Sequence, residues 1–296
     1  MNNLVHLQTG NVLTLFFMIK RVIHISDIHI PNSDDGRPYS KMMMSFIDDV
    51  TKQINNMKAN DGINESEIRI IIVGDIFHQK IKASNEAKIM FHEMLNAFNK
   101  LAKTIIVAGN HDMLENNTDR TDSISPTFEI SGAYKNVVYA DKVLGYKSGC
   151  IKDDNILWVI YSMFDKFARP DIGKYDANNL TVIGLYHGDI VGATTDVGRV
   201  SDSGINTNSF DGCKCIMAGH IHKFQEIIKN GVPIVYPSSV FQQNIGENTT
   251  KHGYVIWDIE TMQYALHEVP NDYKLYKFEI TSYDDIENNS EKLVNL

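Results

Sequence analysis

The chain is poor in cysteine. It has three in 296 residues, two of them in Cys213-Lys214-Cys215, an odd count that builds no disulfide framework and suits a reducing, intracellular compartment. Long hydrophobic runs are also missing: the stretch from Val12 to Ile19 is broken by Thr14 and followed by Lys20-Arg21. That is too short to span a bilayer, and the basic pair falls on the wrong side for a signal peptide, so no membrane association is expected. Nor is there a basic excess. Twenty-eight Lys and Arg against 37 Asp and Glu leave a net charge of −9, which excludes a general pull toward nucleic acid and confines any DNA contact to a local patch. No linker rich in Pro or in Gly and Ser divides the chain, and no internal repeat appears. One main domain is expected over residues 19–270. Residues 1–18 read as an extension, either an upstream start or a disordered lead-in, and 271–296 as a short C-terminal segment with a strand at Tyr276 to Ile280.

What is present is a repeated pattern. Five apolar, β-branched runs read as buried strands: Val22 to Ile25, Ile68 to Val73, Thr104 to Ala108, Leu180 to Tyr186 and Cys213 to Ala218. Each is followed at once by a loop bearing Asp, Asn or His: Asp27 and His29; Asp75 and His78; Asn110, His111 and Asp112; His187 and Asp189; His220 and His222. Open α/β sheets place their sites at the carboxyl ends of strands, so these loops should converge on one crevice. Helical periodicity covers Ser84 to Leu101, with Ser84 as N-cap, and Lys41 to Met57, with Met44, Ile47, Val50 and Ile54 on the core face. From Val137 onward shorter strands (Val137 to Tyr139, Ile156 to Tyr161, Val232 to Tyr236, Gly253 to Asp258, Tyr264 to Val269) suggest a second sheet packed on the first. The expected class is α/β, a four-layer α-β-β-α sandwich of two mixed sheets flanked by helices.

Oxygen and nitrogen donors without cysteine suit Mn²⁺, Fe, Zn²⁺ or Mg²⁺ rather than an iron–sulfur cluster. Seven candidate ligands (Asp27, His29, Asp75, Asn110, His187, His220, His222) exceed the needs of one ion. Two ions about 3.5–4 Å apart, sharing one carboxylate, clamp a phosphoryl group and activate water, which is the chemistry of phosphoester hydrolysis.

In order along the chain, Asp27-Ile-His29, Gly74-Asp75-Ile-Phe-His78, Gly109-Asn110-His111-Asp112, His187-Gly188 and Gly219-His220-Ile-His222 resemble the calcineurin-like metallophosphoesterases over roughly Lys20 to Val269. The resemblance implies that Asp27, His29 and His222 hold one ion, that Asn110, His187 and His220 hold the other, and that Asp75 bridges them. It also implies that His111 acts at the leaving oxygen with Asp112 orienting it. Protein phosphatases of this superfamily continue the second motif with Asp-Arg-Gly. Here Gly74-Asp75-Ile76-Phe77-His78 stands instead, similar to the Mre11 and SbcD nuclease branch with its phage and viral relatives, where this histidine serves cleavage of DNA.

Tyr236-Pro237-Ser238-Ser239, Lys251-His252-Gly253-Tyr254 and Glu268-Val269-Pro270-Asn271 resemble the end of that nuclease domain, with Ser238 standing where a Gly is common. The implied function is a manganese-dependent DNA exonuclease or endonuclease of repair or recombination. It would act in the cytoplasm, in the nucleus of a eukaryote, or in the host cytoplasm for a viral member. A Rad50-like or SbcC-like ATPase is the branch's partner, although the short C-terminal segment argues against docking through this chain, and a homodimer would form through the helices after the second motif.

Two alternatives stand beside it: a small-substrate phosphodiesterase or pyrophosphohydrolase, since His187-Gly188-Asp189 also occurs in a nucleotide-sugar lipid hydrolase branch, and a non-catalytic scaffold, whose mark would be lost ligands. Local DNA contacts are assigned to Arg37, Tyr39 and Arg199. His24 reads as structural or solvent-facing, as do His6, His92, His252 and His267; Cys213 and Cys215 read as core. Asp189 reads equally as a support for His187 and as a loop acid.

Overall fold

The computed structural model describes residues 18–131, 134–175, 179–195, 197–277, 280–282, 284, 286 and 287. The extension at 1–17, with His6, lies outside them. In chain order the elements are β1 (Arg21–Ile25), α1 (Tyr39–Asn60), β2 (Ile68–Val73), α2 (Asn85–Leu101), β3 (Lys103–Val107), α3 (Ser125–Ser131), β4 (Val137–Tyr139), α4 (Ala140–Val143), β5 (Gly149–Asp153), β6 (Ile156–Tyr161), β7 (Thr181–His187), β8 (Cys215–Gly219), β9 (Gln225–Lys229), β10 (Val232–Tyr236), β11 (Gly253–Asp258) and β12 (Tyr264–Glu268). No helix among the described residues is long and apolar enough to cross a membrane.

The strands form two six-stranded mixed sheets, ordered β12-β11-β1-β2-β3-β4 and β5-β6-β7-β8-β10-β9. Parallel strands buried on both faces must be apolar at every position, and β2 and β6 are buried throughout. Alternation then decides which core each side chain enters. Ile23, Ile25, Ile70 and Ile72 meet α1 and α2, whereas Val22, Ile71, Val73 and Trp257 face Trp158, Ile183 and Met217 across the gap between sheets. The outer face of the second sheet is covered by short 3₁₀ turns and loops carrying Phe167, Ile172 and Phe210, so this fourth layer is thin.

The allotment of strands to sheets does not follow chain order. β4, β11 and β12 join the first sheet, while β7 and β8, with their histidine loops, belong to the second. The division expected near Val137 is therefore corrected: the chain crosses to the second sheet and returns to pair β11 with β1 antiparallel.

α2 begins as expected, with Ser84 Oγ accepting the Ala87 N–H at 3.1 Å. In α1 the buried face runs through Met42, Met43, Phe46, Val50 and Ile54, so Met44, placed on that face by its spacing, points to solvent at 59% exposure. Tyr276 and Lys277 lie in irregular backbone, and positions 278–279 of the expected strand fall outside the described residues.

The two sheets are fastened at both ends. At the end where β2 starts, the buried Arg69 guanidinium grips Asp153, with Nε–Oδ2 at 2.7 Å and Nη2–Oδ1 at 3.1 Å. Near the other, His24 Nε2–H donates to the Ala218 carbonyl of the facing sheet at 3.0 Å. His24 is fully buried, which makes it structural and excludes the solvent-facing alternative; burial lowers its pKa to about 3.

Candidate metal centre

The loops after β1, β2 and β3 of one sheet and after β7 and β8 of the other meet at the carboxyl ends of these strands. Their backbone there is tight. Asp27, His29 and Asp75 have φ of 53°, 50° and 53°, a left-handed conformation rarely adopted by residues other than Gly, and His220 stands at 106°. Ser238, where the resembling family often has Gly, sits at 83°. A Cβ on Gly109 would lie 2.2 Å from Asp75 Oδ1, and one on Gly74, itself at φ 76°, 2.2 Å from His187 Nδ1. These glycines are required because one motif packs directly on the next.

The seven candidate ligands come together in two sets. Asp27, His29 and His222 form one, with His29 Nε2 and His222 Nε2 at 2.9 Å and His222 Nε2 at 3.7 Å from Asp27 Oδ1. Asp75, His187 and His220 form the second, and Asn110 joins it through Oδ1, at 3.2 Å from His187 Nε2 and 2.9 Å from His220 Nδ1. Asp75 faces both sets: Oδ1 accepts the His111 N–H at 2.8 Å, leaving Oδ2 at 3.3 Å from His187 Nε2 and 3.6 Å from His29 Nε2.

The hydrogen bonds around the rings test whether these groups fit a cation. His187 Nδ1–H donates to the Val73 carbonyl at 2.8 Å and His222 Nδ1–H to Glu247 Oε1 at 2.9 Å, so each ring, once it gives up its second proton, offers Nε2 as a lone pair. Those lone pairs point at further acceptors, Asp75, Asn110 and His29. Acceptors aimed at one another are unfavourable unless a cation lies between them. Donors about 2.0–2.2 Å from a common ion stand roughly 3 Å apart, comparable to the spacings here. The donor set therefore fits two divalent ions.

In the ion-free centre protons take the place of the ions. Burial disfavours charge on His187 and His222, yet Asp75 and Glu247 respectively override it and raise each to about 9, whereas burial and three neighbouring imidazoles hold His29 well below 6.5. The site draws positive charge toward itself.

His111 also lies close, grouped with His29 and Asp75, its ring 4.8 Å from that of His29. Its Nδ1–H donates to the His78 carbonyl at 2.6 Å, so Nε2 is the nitrogen free for chemistry. The exposed His78 ring stands at the rim, 5.9 Å from His111 and 5.5 Å from His29. Asp112 does not orient His111. Its fully buried carboxylate accepts the Ile76, Phe77 and Gly109 N–H groups at 2.9–3.1 Å and joins the second-motif and third-motif loops. Burial and the charge of Asp75 push its pKa up to about 7.

Two of the expected DNA contacts are also corrected. The Arg37 guanidinium is buried, bound to Asp35, the Gln242 carbonyl at 2.5 Å and the Tyr39 hydroxyl at 2.6 Å, and Tyr39 is a core residue. Neither reaches solvent. Arg199 is exposed beside Val197, which lines one of two clefts at the centre. That cleft, about 250 Å³, runs past Thr195, His222 and Asn244; the other, about 470 Å³, runs from Asn110 and His220 to Lys166 and Phe167. Asp189 lines both, with Oδ1 3.8 Å from His220 Nε2.

Glu247 is the residue that the sequence pattern missed. It lies 25 positions beyond His222 in a loop with no motif, and only the folded chain brings it to that ring. Cys150, Cys213 and Cys215 are buried and unpaired. His252 bonds to Ser239 and the Asn248 carbonyl, His267 to Asp49, and His92 to Tyr134, all away from the centre.

Residues 20–224 match the family model described as calcineurin-like phosphoesterase. A similar protein is the uncharacterized protein R555 of Acanthamoeba polyphaga mimivirus, 32% identical over 265 residues, covering 86% of this chain. The chain spans only 18% of that relative's length. Among solved structures, an archaeal phosphodiesterase is similar at 12% identity and a TM-score of 0.37, covering 83% of this chain and 97% of its own. Vps29 of Entamoeba histolytica, complexed with zinc, is similar at 13% identity and a TM-score of 0.35, covering 82% and 88%.

Proposed function

Because the chain belongs to the calcineurin-like phosphoesterase family, we propose that its metal centre hydrolyses the phosphodiester bonds of DNA with two divalent ions, manganese foremost. The observation that supports this most is the buried Asp75 Oδ2, placed between the two ligand sets at 3.3 Å from His187 Nε2 and 3.6 Å from His29 Nε2. Asp27, His29 and His222 hold one ion in this reading, Asn110, His187 and His220 the other, and Asp75 both. When bound, the ions supply Lewis-acid activation of the phosphoester and of the attacking water.

The protein's own groups do the rest. His111 presents Nε2 over the centre: with Nδ1–H held by the His78 carbonyl, a second proton taken from solvent sits on Nε2 and can pass from there to the leaving oxygen. Neutral Asn110 completes a ligand set without adding a second carboxylate beside an anionic substrate. The His78 ring, exposed at the rim, meets the strand flanking the scissile phosphate. Retention of every ligand favours an enzyme over a scaffold, and His78 favours DNA over a small ester.

The test is Mn²⁺-supported cleavage of linear duplex and single-stranded DNA beside hydrolysis of a chromogenic phosphodiester, for wild type and His78→Ala. The expected result is that His78→Ala lowers DNA cleavage roughly tenfold or more beyond any loss on the small ester. A wild type that hydrolyses the small ester and never DNA would overturn the nuclease reading and leave a phosphodiesterase.

A further inference from the structure

We propose that the Lys166-Phe167 turn is a nucleotide subsite: the Phe167 ring takes the base next to the scissile bond and the Lys166 ammonium takes the following phosphate. The inference rests on reading the centre as a phosphodiesterase for nucleic acid, and it specifies which part of the substrate lies in which cleft.

The larger cleft leads from Asn110 and His220 directly to these two residues, and its volume of about 470 Å³ is in the range that takes a small-molecule ligand such as a single nucleotide. Lys166 and Phe167 both have left-handed backbone, with φ of 58° and 60°. Two such residues in succession, one of them a bulky aromatic, persist only where the surroundings over-determine them, and such strain gathers at binding sites. Here the Phe167 N–H donates to the Ser162 carbonyl at 2.8 Å and the Lys166 N–H to the Met163 carbonyl at 3.2 Å. The preceding Asp165 is anchored by the Ser148 N–H and hydroxyl, both at 2.6 Å. The turn is rigid, and it holds the two side chains at the cleft.

Both side chains have the chemistry for a nucleotide. Phe167 meets Tyr186 edge to face at 4.9 Å between centroids, and its ring tip would lie 3.5 Å from a Cβ on Gly188, the residue after ligand His187. The ring is thus tied to the metal loop at one edge. Among the described residues Lys166 forms no ion pair; of the two acids lining the cleft, Glu115 is held by Lys80 and Asp189 stands 3.8 Å from His220. Of the described residues lining this cleft, Lys166 is the only lysine or arginine. An unpaired cation and an aromatic ring lining one cleft with Asn110 and His220 supply the two contacts, phosphate pairing and base stacking, that carry most of the affinity for a strand.

The test uses chromogenic diesters, so that it does not depend on DNA cleavage. Wild type, Lys166→Asn and Phe167→Leu are compared in Mn²⁺ on bis(p-nitrophenyl) phosphate and on the 3′- and 5′-(p-nitrophenyl phosphate) diesters of thymidine, each with and without a phosphate on the other hydroxyl. Asn tolerates the left-handed backbone, and Leu keeps an apolar contact with Tyr186, so both variants should fold; thermal melts check this.

Wild type should prefer one thymidine diester over the baseless one. Phe167→Leu should reduce that preference roughly tenfold, and Lys166→Asn should reduce the gain from the distal phosphate about threefold to fivefold. Ratios of kcat/KM that stay at wild-type values, or losses of equal size on every substrate, would overturn the subsite. A single-stranded oligonucleotide left uncut by wild type, with the ratios moving as stated, would remove the DNA reading and keep the subsite for smaller nucleotide diesters.

Discussion

The two halves of the metal centre are built differently. The half from the first sheet supplies both carboxylates and is fixed by backbone: Asp27 accepts the His220 N–H at 2.9 Å, Asp75 accepts that of His111, and the chain at Asp27, His29 and Asp75 is left-handed. The half from the second sheet supplies neutral rings, oriented by acceptors brought from elsewhere, Val73 of the opposite sheet and Glu247 of a distant loop. Asp27, His29 and Asp75 are at most 2% exposed, whereas the side chains of His220 and His222 are 32% and 21% exposed. Both clefts open on that second side. An anionic phosphoester approaching over carboxylates would be repelled, so placing the ligand acids Asp27 and Asp75 at the floor, with the His220 and His222 rings nearer the entrance, lets ions be held strongly and substrate still reach them.

This contrast can be broken at graded cost. Asp75→Asn removes the charge that serves both halves and is expected to lower diester hydrolysis roughly 10²–10³-fold or more, measured as kcat at saturating metal. Gly109→Ala changes no chemical group but drives a Cβ into Asp75 Oδ1. It should cost about tenfold to a hundredfold in activity and lower the melting temperature, because the backbone-fixed half has no room to give.

Glu247→Gln attacks the other half. Loss of the carboxylate behind His222 is expected to weaken metal binding about 10–100-fold, read by metal titration, with some fall in the melting temperature of the metal-free protein, because Glu247 also accepts the Gln243 N–H and the Asn244 amide. A different property is tested at His24, between the sheets. Its folded pKa lies below the unfolded value of 6.5, so it stays neutral when folded and contributes fully above that pH; stability is then lost as pH falls from 6.5 toward 3. In EDTA, His24→Gln should flatten the wild-type slope over this window by up to about 1.4 kcal/mol per pH unit, measured by denaturant unfolding.

The same contrast explains what the sequence reveals. β1, β2 and β3 are continuous β-branched runs ending directly in their ligands, so both strand and site can be read from contiguous residues, within about a position. The edge strands β5, Gly149–Asp153, and β9, Gln225–Lys229, leave no such mark, since half-exposed edges carry Lys, Glu and Asp and lose the apolar signal. Met44 shows the limit of helical periodicity: it satisfies the spacing of a core stripe, but Met42 and Met43 compete for the same face and win it. Arg37 and Tyr39 looked like surface contacts because loops after ligands commonly are; the Gln242 carbonyl that buries Arg37 is 205 positions away. Glu247 failed for the same reason, as long-range closure leaves no local pattern. The assignment of strands to sheets depends on where the chain crosses over, which composition does not record.

The central claim is that two ions sit on two ligand sets joined by Asp75. It is tested most directly by counting manganese per chain at equilibrium, by dialysis and elemental analysis, in wild type, His29→Ala and His187→Ala. Two ions are expected in wild type and one in each variant. One ion or none in wild type, or two retained at undiminished affinity in both variants, would contradict it.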